Sequence, residues 1–217
     1  MSYEIAKRTI DLVSAIFLLI IFTPVMVITA VLIKYSSTGP VFVEKENAHM
    51  KRLGRKGRPF RLYKFRSMMV KADVLERTDP KYKHVYEEKR TAGNYKVMND
   101  PRVTRVGKII RRFSIDEMPQ LLNVLRGEMS IVGPRPYLPD ELNEQKRKFP
   151  GTDKYIKEMH KVRPGITGFW QVTGRSEVKF DKRIEMDAYY ARKRSIVLDI
   201  LILLKTPWAM LTGKGAV

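Results

Sequence analysis

No cysteine occurs in the 217 residues, which removes a disulfide framework, a thiolate metal site and a cysteine nucleophile. Histidine is scarce as well. His49, His84 and His160 lie far apart without ligand spacing, which argues against a histidine metal centre or a Ser-His-Asp triad. There is no Walker A loop, dinucleotide fingerprint or nucleophile-elbow serine. A hard cation held by carboxylate and water stays open. Negative charge is also in short supply: 23 acidic side chains face 42 basic ones, a net charge of +19. Lys7 and Arg8 are balanced by Glu4 and Asp11, so the excess lies in residues 34–217. Such a surface seeks a polyanion: nucleic acid, an anionic bilayer face or phosphorylated substrates.

One long apolar run separates these choices. Leu12 to Ile33 is interrupted only by Ser14, Thr23, Pro24 and Thr29. As a straight helix it measures roughly 33 Å, against about 30 Å of bilayer hydrocarbon. No small-residue cleavage site follows, and no polar face recurs through it, so it reads as a membrane segment. Pro24 cannot donate a backbone hydrogen bond and frees the Ile20 carbonyl, which the Thr23 hydroxyl can help satisfy. Lys7 and Arg8 flank one end and Lys34 the other, so the positive-inside tendency pulls both ends to the cytoplasm. A hairpin bent at Thr23-Pro24 satisfies both ends, and a kinked spanning helix only one. The residues alone leave the two even.

After the loop at Ser36–Pro40, Val41–Val43 reads as a short strand. The basic turn Gly54–Pro59, followed by the alternating Phe60–Arg66, predicts a small hairpin. Residues 69–98 are charged and helix-compatible, broken at Asp79-Pro80 and Gly93-Asn94. Helices are expected over 106–113, from Asp116 to a cap at Gly127, and near 138–148 and 153–161. The apolar Ile196–Leu204 is too short to span and is either a buried terminal helix or an interfacial one with Trp208 at headgroup level.

Two adjacent carboxylates, Asp116 and Glu117, stand in a run otherwise basic and apolar. Ser114-x-x-Glu117 fits a capping box, so Glu117 alone has a bland explanation. Either way the pair sits at a helix start, where backbone amides favour anions. A carboxylate approaching a phosphate is repelled by about 4 kcal/mol per like-charge pair at 4 Å and an effective dielectric of 20. Cations must offset that, and Arg135, clamped between Pro134 and Pro136, supplies a restricted bidentate fork. Lys64 and Arg66 are either phosphate contacts or a solvated strand face. Trp170 is either core packing or a stacking platform.

These residues together resemble the bacterial sugar transferases, the small monotopic phosphoglycosyl transferases. The resemblance is carried by Lys64–Met68, Asn99–Gly107, Ser114–Gln120, Gly133–Pro136 and Arg163–Gly168, with Lys7-Arg8-x-x-Asp11 ahead of the apolar helix. It covers nearly the whole chain. Relatives often carry a glutamine where Glu44–Lys51 here reads as an insertion, and Ser-Pro where this chain has Thr23-Pro24.

The resemblance implies a mainly α fold with a small β-hairpin. Residues 1–35 would form a re-entrant membrane helix broken at Thr23-Pro24, and residues 36–217 a cytoplasmic-face catalytic domain with interfacial amphipathic helices. It implies transfer of a sugar 1-phosphate from a UDP-sugar to undecaprenyl phosphate at the bacterial inner membrane, releasing UMP, with Mg2+. Asp116 would be the nucleophile, and Glu117 would position the metal or acceptor, both being metal ligands. Arg135, Arg112, Arg66, Lys64, Arg102 and Arg163 would hold phosphates. The basic surface would seat on anionic phospholipid, with no nucleic-acid partner; a homodimer is compatible. A membrane-tethered nucleic-acid binder and a metal-dependent phosphodiesterase are the competing readings.

Overall fold

The apolar run folds into a single helix, α1 (Tyr3–Ser36), in a computed structural model that describes residues 2–43, 51–85, 87, 100–174 and 178–211. Pro24 lies inside α1, and the Thr23 hydroxyl donates to Leu19 O at 2.6 Å, one turn back. The expected break therefore lies within a continuous helix rather than at a loop. Only two stretches of α1 are buried: Lys7, Asp11 and Ala15 at one end, Thr29 and Ile33 at the other. Each set is spaced by four residues, one helical face. Between them Ile16, Phe17, Ile20, Ile21, Val25, Val27 and Ile28 are exposed.

Both ends of α1 grip the remainder of the chain. Near the start, Arg8 donates to Val124 O (2.6 Å) and Leu125 O (3.0 Å), satisfying carbonyls at the end of α4 (Leu121–Leu125). Asp11 accepts from the Ser130 hydroxyl (2.9 Å) and Ile131 N (3.0 Å) on β3 (Ser130–Val132). Lys7 Nζ lies 3.5 Å from Asp11 and 3.3 Å from Asp199. Removing one partner of such a buried pair typically costs about 3–5 kcal/mol, because the other charge stays buried. At the far end, Ile33 packs with Phe65 and Ile110, and Arg66 donates to Pro40 O (2.6 Å) and Ser37 O (3.0 Å).

The predicted hairpin is present as β1 (Lys51–Leu53) and β2 (Pro59–Arg61), antiparallel, with Arg52 opposite Phe60. Val41–Val43 contributes only a bridge, Phe42 to Phe65. After α2 (Ala72–Thr78) and α3 (Arg105–Arg112, capped by the Thr104 hydroxyl on Gly107 N) comes the main departure from expectation. Ile115–Gln120 is a 3-10 turn, and α-helix starts only at Leu121. Pro119 lacks the amide and disfavours α geometry at Met118. Ser114 has φ 54° and makes no side-chain cap, so the capping box does not form. Gly127, at φ +77°, ends the segment as expected.

α5 (Pro139–Lys148) and α6 (Asp153–Met159) match the sequence. β4 (Gly165–Thr167), inside the Arg163–Gly168 motif, pairs in parallel with β3. α7 (Phe169–Thr173), α8 (Phe180–Lys193) and α9 (Ile196–Leu211) complete the fold. One core joins Ala15, Leu121, Val124, Met129, Ile131, Tyr190 and Ile202; another joins Tyr137, Leu142, Ile156, Met159, Phe180 and Ile184. α9 answers both readings of the terminal segment: Ile202 and Asp199 are buried, while Val197, Ile200, Leu201, Leu204 and Trp208 form an exposed apolar stripe. The turn at Gly93-Asn94 and residues 44–50 of the insertion lie outside the described residues.

Candidate active site

Two motifs meet because Phe65 N donates to Asp116 O at 3.0 Å. That backbone bond brings Lys64 to the acidic pair. Its ammonium lies 2.9 Å from Asp116 Oδ2 and 3.2 Å from Glu117 Oε1. Asp116 is buried and Glu117 half-buried. Burial lifts the Asp116 carboxyl above the usual range; Lys64 and Arg111 oppose this, and Glu117 adds to it. Burial works against the Lys64 ammonium too, but the two carboxylates outweigh it and hold its pKa above the ordinary value.

Arg135 is presented by a second union of motifs. β3 and β4 run side by side, Gly133 N bonds Thr167 O (2.9 Å), and Gly165 N bonds Pro134 O (2.8 Å). A Cβ on Gly165 would stand 2.0 Å from Gly133 N, so only glycine permits this approach. Asp187, fully buried on α8, accepts from Arg135 N (3.3 Å) and the Tyr137 hydroxyl (3.4 Å). Burial pushes the Asp187 carboxyl up to about 8 despite those donors and the nearby Arg183 and Arg135. The Arg135 guanidinium lies 5.8 Å from the Tyr137 ring and 5.9 Å from Trp170. Burial disfavours its charge, but Glu141, Tyr137, Glu117 and Asp187 hold it above its ordinary value, so it lies in the field of Glu117.

The remaining expected phosphate ligands serve elsewhere. Arg66 is bonded to the Ser37 and Pro40 carbonyls just after α1. Arg102 is buried, bound to Asp100 (2.8 and 2.6 Å), Ala72 O (2.7 Å) and Glu76. Arg163 Nε donates to Gly127 O (2.8 Å), and its side chain lines a groove with Glu4, Arg8 and Arg55 at the start of α1. All three are bonded to the fold: Arg102 through each of its guanidinium nitrogens, Arg66 through Nε and Nη2, and Arg163 through Nε. Arg112 is exposed beside the Phe113 ring, and its neighbour Arg111 acts on Asp116 instead. Sequence reasoning missed Arg111, Arg52, Arg183, Asp187 and Glu141. Only Arg183 and Asp187 carried a signal, an oppositely charged i, i+4 pair. Trp170 is buried under Arg183, 4.5 Å from its ring, so it is core rather than an open stacking platform.

Among the described residues no three His, Cys, Asp or Glu side chains converge. Asp116 and Glu117 thus offer two carboxylates. That set fits a hard, water-rich cation of the magnesium kind, which completes its shell with water and substrate phosphates, and does not fit zinc.

A buried carboxylate beside a lysine, with Arg135 in the field of Glu117, lies on a chain that carries, among the described residues, one helix long and apolar enough to cross a membrane. The chain belongs to the bacterial sugar transferase family, whose model matches residues 2–213. It is 40% identical to the exopolysaccharide production protein ExoY of Rhizobium meliloti, over 97% of this chain and 88% of that protein. It is also 40% identical to the UDP-galactose-lipid carrier transferase of Erwinia amylovora and to the undecaprenyl-phosphate galactose phosphotransferase of Salmonella typhimurium. Each match spans 99% of this chain and 42% of the longer relative. The chain is a sugar transferase.

Proposed function

We propose that this transferase moves a sugar 1-phosphate from a UDP-sugar to undecaprenyl phosphate, the first membrane step of an exopolysaccharide, capsule, O-antigen or glycoprotein glycan. The observation that carries the reading is the buried Asp116, paired with Lys64 at 2.9 Å, in a chain 40% identical to a protein named as an undecaprenyl-phosphate galactose phosphotransferase.

A carboxylate oxygen of Asp116 attacks the phosphorus that bears the sugar. An Asp116–phosphorus ester bond forms, the bond to the bridging oxygen breaks, and UMP leaves with that electron pair. A phosphate oxygen of undecaprenyl phosphate then attacks the same phosphorus, freeing Asp116 and giving a polyprenyl diphosphate sugar. Lys64 holds Asp116 in its anionic form and orients it, and Arg135 takes up charge on the phosphoryl oxygens. Mg2+, with Asp116 and Glu117 as its protein ligands, would supply screening of the phosphate charge. The test is UMP release from a panel of glucose, galactose and N-acetylhexosamine UDP-sugars with magnesium and undecaprenyl phosphate. No UMP from any of them would remove the reading.

The pH dependence follows from the site. Asp116 must be ionised to attack, so kcat/KM falls as pH drops through its raised pKa. Lys64 holds that pKa down, so Lys64→Met should move the acid limb of the profile to higher pH. An unmoved limb would separate Lys64 from the nucleophile.

A re-entrant α1 with its catalytic domain, residues 36–217, on the cytoplasmic face has physical support. Asp11 and Thr29 stand roughly 27 Å apart along a helix. Both ends of α1 are hydrogen-bonded to the same domain while the apolar middle leaves it. A helix crossing the bilayer would carry one of those ends away. The apolar stripe of α9 and the cationic surface suit the same interface. In this cysteine-free chain, Ser2→Cys and Thr38→Cys should both escape an impermeant maleimide added outside spheroplasts. Labelling of one alone indicates a spanning helix.

A further inference from the structure

A groove of about 430 Å³ runs along the first turns of α1, where Arg8, Arg55 and Arg163 line it together with Glu4, Ile5 and Leu12. Its arginines come from three places: α1, the turn between β1 and β2, and the segment entering β4. The groove is thus a junction of elements rather than the tip of one helix. Arg8 and Arg163 donate to the Val124, Leu125 and Gly127 carbonyls, and Arg55 Nε to Lys161 O at 3.0 Å. A carbonyl satisfies a donor without cancelling the charge behind it. Glu4 is the one carboxylate lining the groove, 3.7 Å from Arg55, and it is shared with Arg194 at 3.5 Å. The groove therefore keeps an excess of positive charge and calls for an anion.

Depth selects which anion. Arg8 precedes Leu12, the first residue of the apolar run, by a rise of roughly 6 Å. Headgroups add roughly 5–8 Å to each side of the hydrocarbon, so with that run in a bilayer Arg8 stands at phosphate level. The α1 face that walls the groove at Ile5 and Leu12 continues as the exposed Ile16 and Ile20. Arg194, beside Glu4, also brings the start of α9 here, with Val197, Leu201 and Leu204 exposed beyond it. A free anion would use the arginines alone, whereas a lipid uses them and the apolar faces that leave the same junction.

We propose that the groove of Arg8, Arg55 and Arg163 binds the phosphate of an anionic phospholipid, whose acyl chains lie along α1. The inference rests on the membrane placement of α1 proposed above. The site is separate from the catalytic carboxylates. Arg8 bonds the far end of α4, whereas Asp116 lies in the 3-10 turn ahead of that helix. Ile115, next to Asp116, packs with Ile33 at the opposite end of α1. The bound lipid is therefore not the acceptor. It ties α1 to the β1–β2 turn and to β4, with its phosphate as the common partner of three guanidiniums.

The experiment titrates the full-length protein in detergent micelles with phosphatidylglycerol, phosphatidylcholine, undecaprenyl phosphate or glycerol 3-phosphate, and counts bound molecules by native mass spectrometry. One phosphatidylglycerol should bind roughly fivefold or more tighter than phosphatidylcholine, the effect of one basic residue beside an anionic lipid surface. Arg55→Gln and Arg163→Gln should each weaken it by a similar factor of roughly five. The Arg55 side chain is 42% exposed, so that variant keeps the fold even if Arg163→Gln melts early. Lys81→Gln removes the same charge from an exposed position outside the groove and should leave affinity within about twofold. An equal loss in Lys81→Gln, no preference for phosphatidylglycerol, or glycerol 3-phosphate binding as tightly as the lipid overturns the site. So does undecaprenyl phosphate displacing phosphatidylglycerol with the same dependence on Arg55 and Arg163, which would make the groove the acceptor's. Any of these results in a chain that still sediments with membranes leaves the placement of α1 standing. If the unaltered chain does not sediment with membranes, that placement falls and takes the lipid site with it.

Discussion

Asp116→Asn should release UMP about 10^3-fold more slowly or worse, while still sedimenting with membranes. The exchange is nearly isosteric, and Lys64 keeps Glu117 as a partner at 3.2 Å, so the fold should survive. The amide nitrogen carries no lone pair free to attack phosphorus, and the amide oxygen carries no full charge. The residual rate then reports binding and arginine electrostatics alone. Asp116 belongs to neither α1 nor α9, the helices with the exposed apolar stripes, so its substitution should leave them as they are. A variant within tenfold of the unaltered chain would end the covalent aspartyl mechanism, and accumulation of a sugar-phosphoryl adduct on the unaltered chain alone would secure it.

The second large effect is expected at Arg135. Arg135→Ala should lower kcat/KM by roughly 10^2–10^3, the scale seen when one preorganised charge-stabilising donor is deleted. Its backbone is fixed by two prolines, by the β3–β4 pairing and by Asp187, so little is lost in orienting the fork at the moment of reaction. Arg135→Lys should recover only a small part, because an ammonium cannot span two oxygens. Full recovery by lysine would reduce Arg135 to a point charge.

How much of this was legible beforehand differs residue by residue. Asp116, Glu117 and Arg135 stood out because carboxylates in a basic run and an arginine between prolines are local anomalies. The helices over 139–148 and 153–159 followed from periodicity, and the hairpin from its glycine turn. The 3-10 turn at Ile115–Gln120 was half legible: Pro119 was visible, but the φ 54° of Ser114, which undoes the capping box, is set by its neighbours. β4 was hidden, since a three-residue strand earns its hydrogen bonds from a partner 35 positions earlier.

Among the cations, sequence had little to offer. Arg66, Arg102 and Arg163 sit in motifs and proved to hold carbonyls and carboxylates, while Arg52 and Arg183 sit outside the acidic and proline-flanked motifs and lie in the field of Arg135. An arginine reads the same in either role until its acceptor is known.

Composition and order alone determined the family, the apolar helix, the acidic pair and the exclusion of thiol chemistry, because these depend on which residues occur and how they are spaced. Tertiary structure decided which cation meets Asp116, which arginines are spent on the fold, and that both ends of α1 bind one domain. Those outcomes depend on contacts between residues far apart in the chain, and a hydrogen bond such as Phe65 N to Asp116 O leaves no periodic trace in either segment.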